Sequence, residues 1–420
     1  MERTNILVKI FIALCFCNFL NICLYGYESI NYKLNVEYCI IKEKSNSKIK
    51  NKISESNIEN GLKMISERSC IVFLQKSSCD EKKNIFVKEC TKKSQKCEEV
   101  PVTKSSPFIK FSFDKNSDIK EYNFDGSVNL MRTVEFEIKI NENCNKNPGC
   151  VARKVLMYLG LIPTVRRSDR DTFVSVDDTK IKNEYKEQYS KLDNVLLYVN
   201  YDFSSIGHYS QYYGASSSKT TFSIEKSYVA IDEIAGQEYR PAFSDLKWLY
   251  FAHCKKDPLY SLKCKNGGYP KSENSSECEC PTGFSGETCD KLEKSDNDCH
   301  SSTLHTYTER TQSFELKGKK TCNILITSPP KTRVYVKVIE LNCETKAPCF
   351  ENDCLQIKYQ KDMALTGYCL CGKKRDVGIT THSNETVIRY TGSSSKCSAK
   401  IEYKMVWYEY GGSEYNHKFI

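Results

Sequence analysis

Histidine is scarce in this sequence. The 420 residues hold six, at positions 208, 253, 300, 305, 382 and 417. None precedes His208 and no H-x3-H pair occurs, which excludes a helix carrying two histidine metal ligands one turn apart. No C-x2-C pair occurs either, which excludes a cytosolic zinc ribbon. Beyond residue 25 no apolar run approaches the roughly 18 residues of a membrane helix, so no later segment spans a bilayer. Basic charge is present but not concentrated: the formal net charge of +9, from 62 Lys and Arg against 53 Asp and Glu, comes mainly from dispersed lysines such as those of "KEKSNSKIKNK". Scattered lysines make a solvated surface, which argues against nucleic acid and leaves heparin-like or anionic-lipid surfaces as possible partners.

What is present begins with "MERTNILVKIFIALCFCNFLNICLYG", a short charged start followed by an apolar run. It reads either as a cleaved secretory signal peptide over residues 1–26 or as a membrane anchor; Lys9 within the run and the small or polar residues after it favour the signal peptide. Cys15, Cys17 and Cys23 lie in that leader, so 23 − 3 = 20 cysteines remain in the mature chain. An even, high count behind a secretory leader implies an oxidising compartment and a disulfide framework. The expectation is a secreted, extracellular protein with no membrane span after signal cleavage.

The rest of the chain divides by spacing. From 27 to 254, strand-like runs ("SCIVFL", "FIKFSF", "VEFEIKI", "NVLLYVNYDF") mix with helical patterns, one of them "NIENGLKMISERS" with Ile58, Leu62 and Ile65 on one face. From 255 to 289 the C-x-N-G-G start, the C-x-C-P pair and the G-F-x-G-x-x-C close resemble an epidermal-growth-factor-like (EGF-like) module, although, counted from Cys254, only five cysteines serve it where the family has six. That resemblance implies Cys264–Cys278 and Cys280–Cys289. The acidic ligands of a calcium-binding version are missing from "YFAHC", so no calcium is expected there. A polar linker covers 290–298. From 299 to 410, period-2 and β-branched runs bounded by Gly, Pro, Ser and Asn read as an all-β sandwich. The order "C-x-I-x-x-S/A-P", alternating strand, "T-G-x-x-C-G" resembles a CUB domain, in which Cys299 would pair with Cys322. Residues 411–420 form a tail. Sequons at Asn274 and Asn384 are expected to carry glycans.

"RKVLMYLGLIPTVRRSDRD", residues 153–171, fits without a gap the H-E-x-x-H-x-x-G-x-x-H-E-x-x-R-x-D-R-D frame of the astacin family of secreted zinc endopeptidases. Gly160, Arg167, Asp169, Arg170 and Asp171 fall where that family has them. "SSIGHY" resembles the family turn S-I-M-H-Y, retaining Ser205, Ile206, His208 and Tyr209, and "FSDLKWLYFAHC" resembles the segment that closes the protease domain. The resemblance, strongest for the nematode-like branch, implies an α+β, two-lobed metzincin-like fold and a Cys70–Cys254 bridge. It also matches Cys144 to the cysteine before the zinc helix.

Zinc is the cofactor of that family. Its three histidines hold the metal, and the neighbouring glutamate takes a proton from metal-bound water. Arg153, Met157 and Pro163 stand at the histidine positions, Lys154 at the general base, Gly207 at the methionine beneath the metal, and Thr164 at the glutamate that meets the new N-terminus after activation. Only Tyr209 keeps a residue of the chemical set. Arginine cannot lose its proton, and a cation about 4 Å from a divalent ion opposes binding by about 8 kcal/mol at an effective dielectric of about 20. No catalytic residue, no metal ligand and no cofactor are therefore expected, and the chain reads as a pseudoenzyme binding extracellular protein or glycan. Family membership alone would imply the alternative, a zinc-dependent metalloendopeptidase. Two further alternatives stand at this point. "SSIGHYSQYYGASSS" is either a redesigned binding wall or inherited turn sequence, and "VRR" at 165–167 is either an anion site or a solvated charge run.

Overall fold

The computed structural model describes residues 34–41, 53–79, 86–90, 97–101, 107–117, 135–193, 195–225, 234–255, 262–272, 275–299 and 301–407. The leader, the sequon at Asn274 and the 411–420 tail lie outside these residues. In the first part of the chain, strands β1 (Leu34–Ile40), β2 (Ile71–Gln75), β5 (Phe108–Phe113) and β6 (Glu135–Ile140) form a parallel sheet in the order β2-β1-β5-β6. β3 (Phe86–Cys90) and β4 (Cys97–Pro101) pair as an antiparallel hairpin with Cys90 opposite Cys97.

Helix α1 (Glu55–Ser66) starts where the Ser54 side chain accepts the Asn57 amide, and it buries Ile58, Leu62 and Ile65. These residues meet Val36, Ile71, Ile109, Phe111, Ile138 and Ile140 of the sheet in one core, each fully buried side chain contributing about 1.5–3 kcal/mol. After a short helix α2 (Glu142–Lys146), Asn147 caps α3 (Pro148–Tyr158), with Pro148 in the first turn where its missing N–H costs nothing. α3 adds Val151, Val155 and Leu156 to the same core. It stops at Gly160, whose φ of 102° no side-chain-bearing residue adopts readily.

Beyond Gly160 regular structure is sparse, with short 3-10 turns, the small pair β7 (Val174–Val176) and β8 (Phe222–Ile224), and helix α4 (Phe243–Leu249). Residues 195–203 of "NVLLYVNYDF" form no strand. Arg167 Nη1 donates to the Val199 carbonyl at 2.9 Å, taking an acceptor that a sheet ladder would need, and Tyr198 stacks on Phe251. Two small hairpins follow, β9 (Tyr269–Pro270) with β10 (Cys278–Glu279) and β11 (Phe284–Ser285) with β12 (Lys291–Leu292). The last part is a β-sandwich. One sheet runs β13 (Thr303–His305), β15 (Thr321–Thr327), β20 (Glu385–Thr391), β17 (Leu355–Lys358), β18 (Tyr368–Leu370); the other runs β14 (Gln312–Lys317), β21 (Ser398–Trp407), β16 (Thr332–Asn342), β19 (Lys373–Thr380). In β16 every second residue from Thr332 to Val338 is buried, and a bulge after Val338 resets the alternation so that Leu341 faces inward.

Eight disulfides lie among the described residues: Cys39–Cys79, Cys70–Cys254, Cys144–Cys150, Cys264–Cys278, Cys280–Cys289, Cys299–Cys322, Cys343–Cys354 and Cys349–Cys371. Cys369 and Cys397 are buried thiols. A framework of this density belongs to an extracellular, secreted chain. Among the described residues no helix is long and apolar enough to cross a membrane.

Candidate functional site

α3 meets the Ser205–Tyr209 turn through Arg153, which reaches the His208 carbonyl and the Tyr209 ring. Arg153, only 4% exposed, turns toward the turn rather than toward solvent. Its Nη1 donates to Glu238 Oε1 at 2.6 Å and its Nη2 to the His208 carbonyl at 3.4 Å. The guanidinium carbon sits 5.9 Å from the centre of the Tyr209 ring. Arg153 Nε is buried and has no hydrogen-bond partner among the described residues. Glu238 is held from its other oxygen by Asn143 Nδ2 at 2.7 Å.

Lys154 points the opposite way. Its Nζ donates to the Lys139 carbonyl at 2.7 Å and to Ser117 Oγ at 3.1 Å, so the ammonium satisfies the end of β6. Met157 is buried in a cluster with Phe173, Tyr189, Tyr201, Phe203 and Tyr209. Pro163 is buried and precedes the 3-10 turn Thr164–Arg166. Gly207 lies close to this segment: a Cβ there would be 3.2 Å from the Ile162 carbonyl oxygen, and the Gly207 carbonyl already accepts the Thr164 amide.

His208 is fully buried. Its Nδ1 lies 2.8 Å from the Tyr209 carbonyl, which can only accept, so Nδ1 carries the hydrogen and Nε2 accepts from the Tyr201 hydroxyl at 2.8 Å. Burial, aided by the nearby Arg153 charge, pushes the imidazole down to about 4 and keeps it neutral. The Tyr209 hydroxyl donates to Gln188 Oε1 at 3.3 Å, and its ring packs on Tyr213 and Tyr189. The turn itself is anchored by Asp245, which accepts from Ser205 Oγ at 2.5 Å and from the Ile206 and Ala242 amides at 2.8 Å each. Burial pushes this carboxyl up to about 7 against the pull of those three donors.

The charge run at 165–167 is neither solvated nor open to an anion. Arg166 and Arg167 are buried, Arg166 Nε on the Ser190 carbonyl at 2.9 Å and Arg167 in a two-pronged pair with Asp169 at 2.9 and 2.8 Å. Arg170 ties the Val165 and Tyr189 carbonyls together and pairs with Asp171. Beside Thr164, Arg167, Asp202, Ser205 and Asp245 a cavity of about 30 Å³ leaves room for one water.

The groups at the four frame positions are a guanidinium, an ammonium, a thioether and a pyrrolidine ring, none of which is a zinc ligand, so these residues do not fit the metal. The one group of metal-ligand types found together among the described residues is Cys349, Asp353 and Cys371, and its two sulfurs are bonded to each other. Glu238, Gln188 and Asn143 carry no motif in the sequence, and Asp245, although inside "FSDLKWLYFAHC", is given no role by it; their roles come from packing.

Residues 108–254 match the astacin family of peptidases. Zinc metalloproteinase nas-34 of Caenorhabditis elegans is 29% identical over 259 residues, 61% of this chain and 42% of that protein. Zinc metalloproteinase dpy-31 of Brugia malayi is 28% identical over 242 residues, 53% and 39% respectively. The chain thus spans about two fifths of the length of these relatives. Among solved structures, High choriolytic enzyme 1 of Oryzias latipes, a hatching enzyme zinc-protease, aligns at 18% identity over 54% of this chain and 92% of that one, with a TM-score of 0.39. With α3, Gly160 and the Ser205–Tyr209 turn falling inside the matched residues, residues 108–254 carry an astacin-family domain homologous to that of the astacin metalloendopeptidases.

Proposed function

We propose that this chain is a secreted astacin-family protein that holds no zinc, cleaves no peptide bond, and acts by binding extracellular protein or glycan. The observation that supports this reading is the Arg153–Glu238 pair at 2.6 Å, with the guanidinium 5.9 Å from the Tyr209 ring, at the position where the family has its first zinc histidine. Zinc hydrolysis requires ligands of the histidine, carboxylate or thiolate type and a base beside the bound water. A buried guanidinium supplies neither, and Lys154 is spent on the Lys139 carbonyl.

The accompanying division is a signal peptide over 1–26, a peptidase-like domain over 27–254, an EGF-like module over 255–289, a linker over 290–298, a CUB-like domain over 299–410 and a tail over 411–420, with glycans on Asn274 and Asn384. For the binding surface we favour the tyrosine wall outside the closed site. Tyr212 is 60% exposed and Tyr239 45% exposed, while Tyr185 and Tyr213 meet edge to face at 5.2 Å. Amphipathic rings of this kind suit protein or glycan contacts at low entropic cost.

Elemental analysis of the purified protein should find far less than one equivalent of zinc, and denatured casein should remain intact. Stoichiometric zinc with chelator-sensitive cleavage would overturn the proposal and establish a metalloendopeptidase with unrecognised ligands.

A further inference from the structure

The middle of the sheet β13-β15-β20-β17-β18 is buried on both faces. Its inward residues Ile324, Ile326, Ile388, Tyr390, Leu355 and Ile357 belong to the sandwich core. Its outward residues are covered as well: Asn323, Gln356, Lys358 and Val387 are all at most 3% exposed. Asn323 and Val387 are covered by the small disulfide-held segment of residues 262–272 and 275–293, and Lys358 by the loop that carries Met363 and Leu365.

That segment has two internal bridges, Cys264–Cys278 and Cys280–Cys289, because Cys254 is taken by Cys70. Its buried Cys278, Phe284 and Cys289 do not form a core by themselves; they share one cluster with Met363 and Val387, joined by the partly buried Leu325. Two glycines in left-handed conformations mark the close approach. A Cβ on Gly267 would lie 2.8 Å from Ala364 Cβ, and one on Gly283 would lie 3.2 Å from Val387 Cγ1.

Polar groups close the rim. Glu293 accepts from Arg389 Nη1 at 2.7 Å and from the Gly283 amide at 3.3 Å, and Thr282 Oγ1 donates to Glu351 Oε2 at 2.9 Å. Lys358 Nζ, donating to the Met363 and Leu365 carbonyls at 2.9 and 2.8 Å, fixes the loop that presents Met363. The same loop reaches the protease-like part through Thr366, whose amide donates to Asp202 Oδ2 at 3.2 Å.

We infer that the outward face of this sheet is a dedicated docking surface for the chain's own EGF-like module, and that it supplies the restraint which a third disulfide would otherwise give. A module this small cannot bury enough apolar area to fold without cross-links. With one bridge absent, the surface of Val387, Leu325 and Met363 completes its core. The face is therefore occupied within the molecule and unavailable to an external ligand. This goes beyond the proposed function and is independent of whether the protein binds zinc.

Native-state hydrogen exchange on the full chain tests it, using the amides of Cys278, Phe284 and Cys289, which donate to Glu287, Pro281 and Gly286 carbonyls. In the wild type these three should exchange together with Ile324 and Ile388 of the sheet, as one cooperative unit. Val387→Thr, equal in shape but polar, should accelerate all three by about tenfold while leaving Val334 and Val336 of the opposite sheet unchanged. Glu293→Ala, at a side chain 41% exposed, should act in the same direction and decides the question even if the Val387 variant does not fold. Module amides that exchange independently of the sheet in the wild type, or that ignore both substitutions, would overturn the inference.

Discussion

Arg153 and Glu238 form a salt bridge 2.6 Å long between α3 and the segment before α4, 85 positions apart in sequence. The two ends differ in access to water: the Arg153 side chain is 5% exposed and that of Glu238 26%. Removing the acid strands a buried cation, whereas removing the base leaves a carboxylate that water can reach. Glu238→Ala should therefore cost about 3 kcal/mol and Arg153→Met only about 1–2 kcal/mol. Urea unfolding of the two variants measures the difference, and a reversed order would show that the acid is the buried end.

Lys154 gives a sharper contrast. At this position the family has a glutamate, yet here the side chain ends on the Lys139 carbonyl and Ser117 Oγ. Lys154→Glu should place a buried carboxylate against a carbonyl and lower stability by about 3 kcal/mol or more, while Lys154→Met should cost about 1–3 kcal/mol for the acceptors left unpaired. Thermal unfolding followed by circular dichroism distinguishes the two.

How much of this is legible in the sequence depends on the range of the interaction. α1 and α3 follow from apolar spacing and capping residues, and Gly160 marks the end of α3 because few other residues tolerate its conformation. The alternation in β16 is legible up to Val338, where a bulge shifts its phase. Partners fixed by tertiary packing are not legible. Nothing in "GQEYRPAF" identifies Glu238 as the counter-ion of Arg153. "VRR" reads as solvated or anion-binding because its carbonyl acceptors, such as Ser190 and Val199, come from a loop brought close only by folding. "NVLLYVNYDF" has strand composition, but among the described residues it pairs with no neighbouring strand, so β-propensity alone misplaces it.

The Cys70–Cys254 bridge spans 184 residues and ties the end of α1 to the segment after α4. In the chain-entropy account a loop of that length is worth about 5 kcal/mol. Replacing both cysteines by alanine should lower unfolding free energy by about 3–5 kcal/mol, measured by denaturant titration under non-reducing conditions. A loss below about 1 kcal/mol would mean that the unfolded chain is already restrained by other contacts.

The pH dependence of stability tests the buried polar groups together. His208 and His253 are both pushed down to about 4, chiefly by burial. Each therefore binds a proton in the unfolded chain, but not in the folded one, between about pH 4 and the unperturbed value of about 6.5. In that window each makes stability rise with pH by about 1.4 kcal/mol per unit. Asp245 works in the opposite sense: burial pushes it up to about 7, so the folded protein holds a proton that the unfolded chain has released above about pH 4. Its contribution falls with rising pH by about 1.4 kcal/mol per unit until about pH 7. Asp202, raised by the same cause, adds to that fall. The two histidines outweigh Asp245 and Asp202 reduces the difference, so these groups together should leave a shallow rise of at most about 1.4 kcal/mol per unit between about pH 4 and 6.5 and a decline from there toward about 7, where Asp245 still titrates. His208→Phe should tilt the shallow part downward by about 1.4 kcal/mol per pH unit, whereas Asp245→Asn should tilt it upward by a similar amount. Denaturant titrations at half-unit intervals measure both slopes, and an unchanged slope in the His208 variant would mean that this ring is protonated in the folded protein, which its hydrogen bond from Tyr201 does not permit.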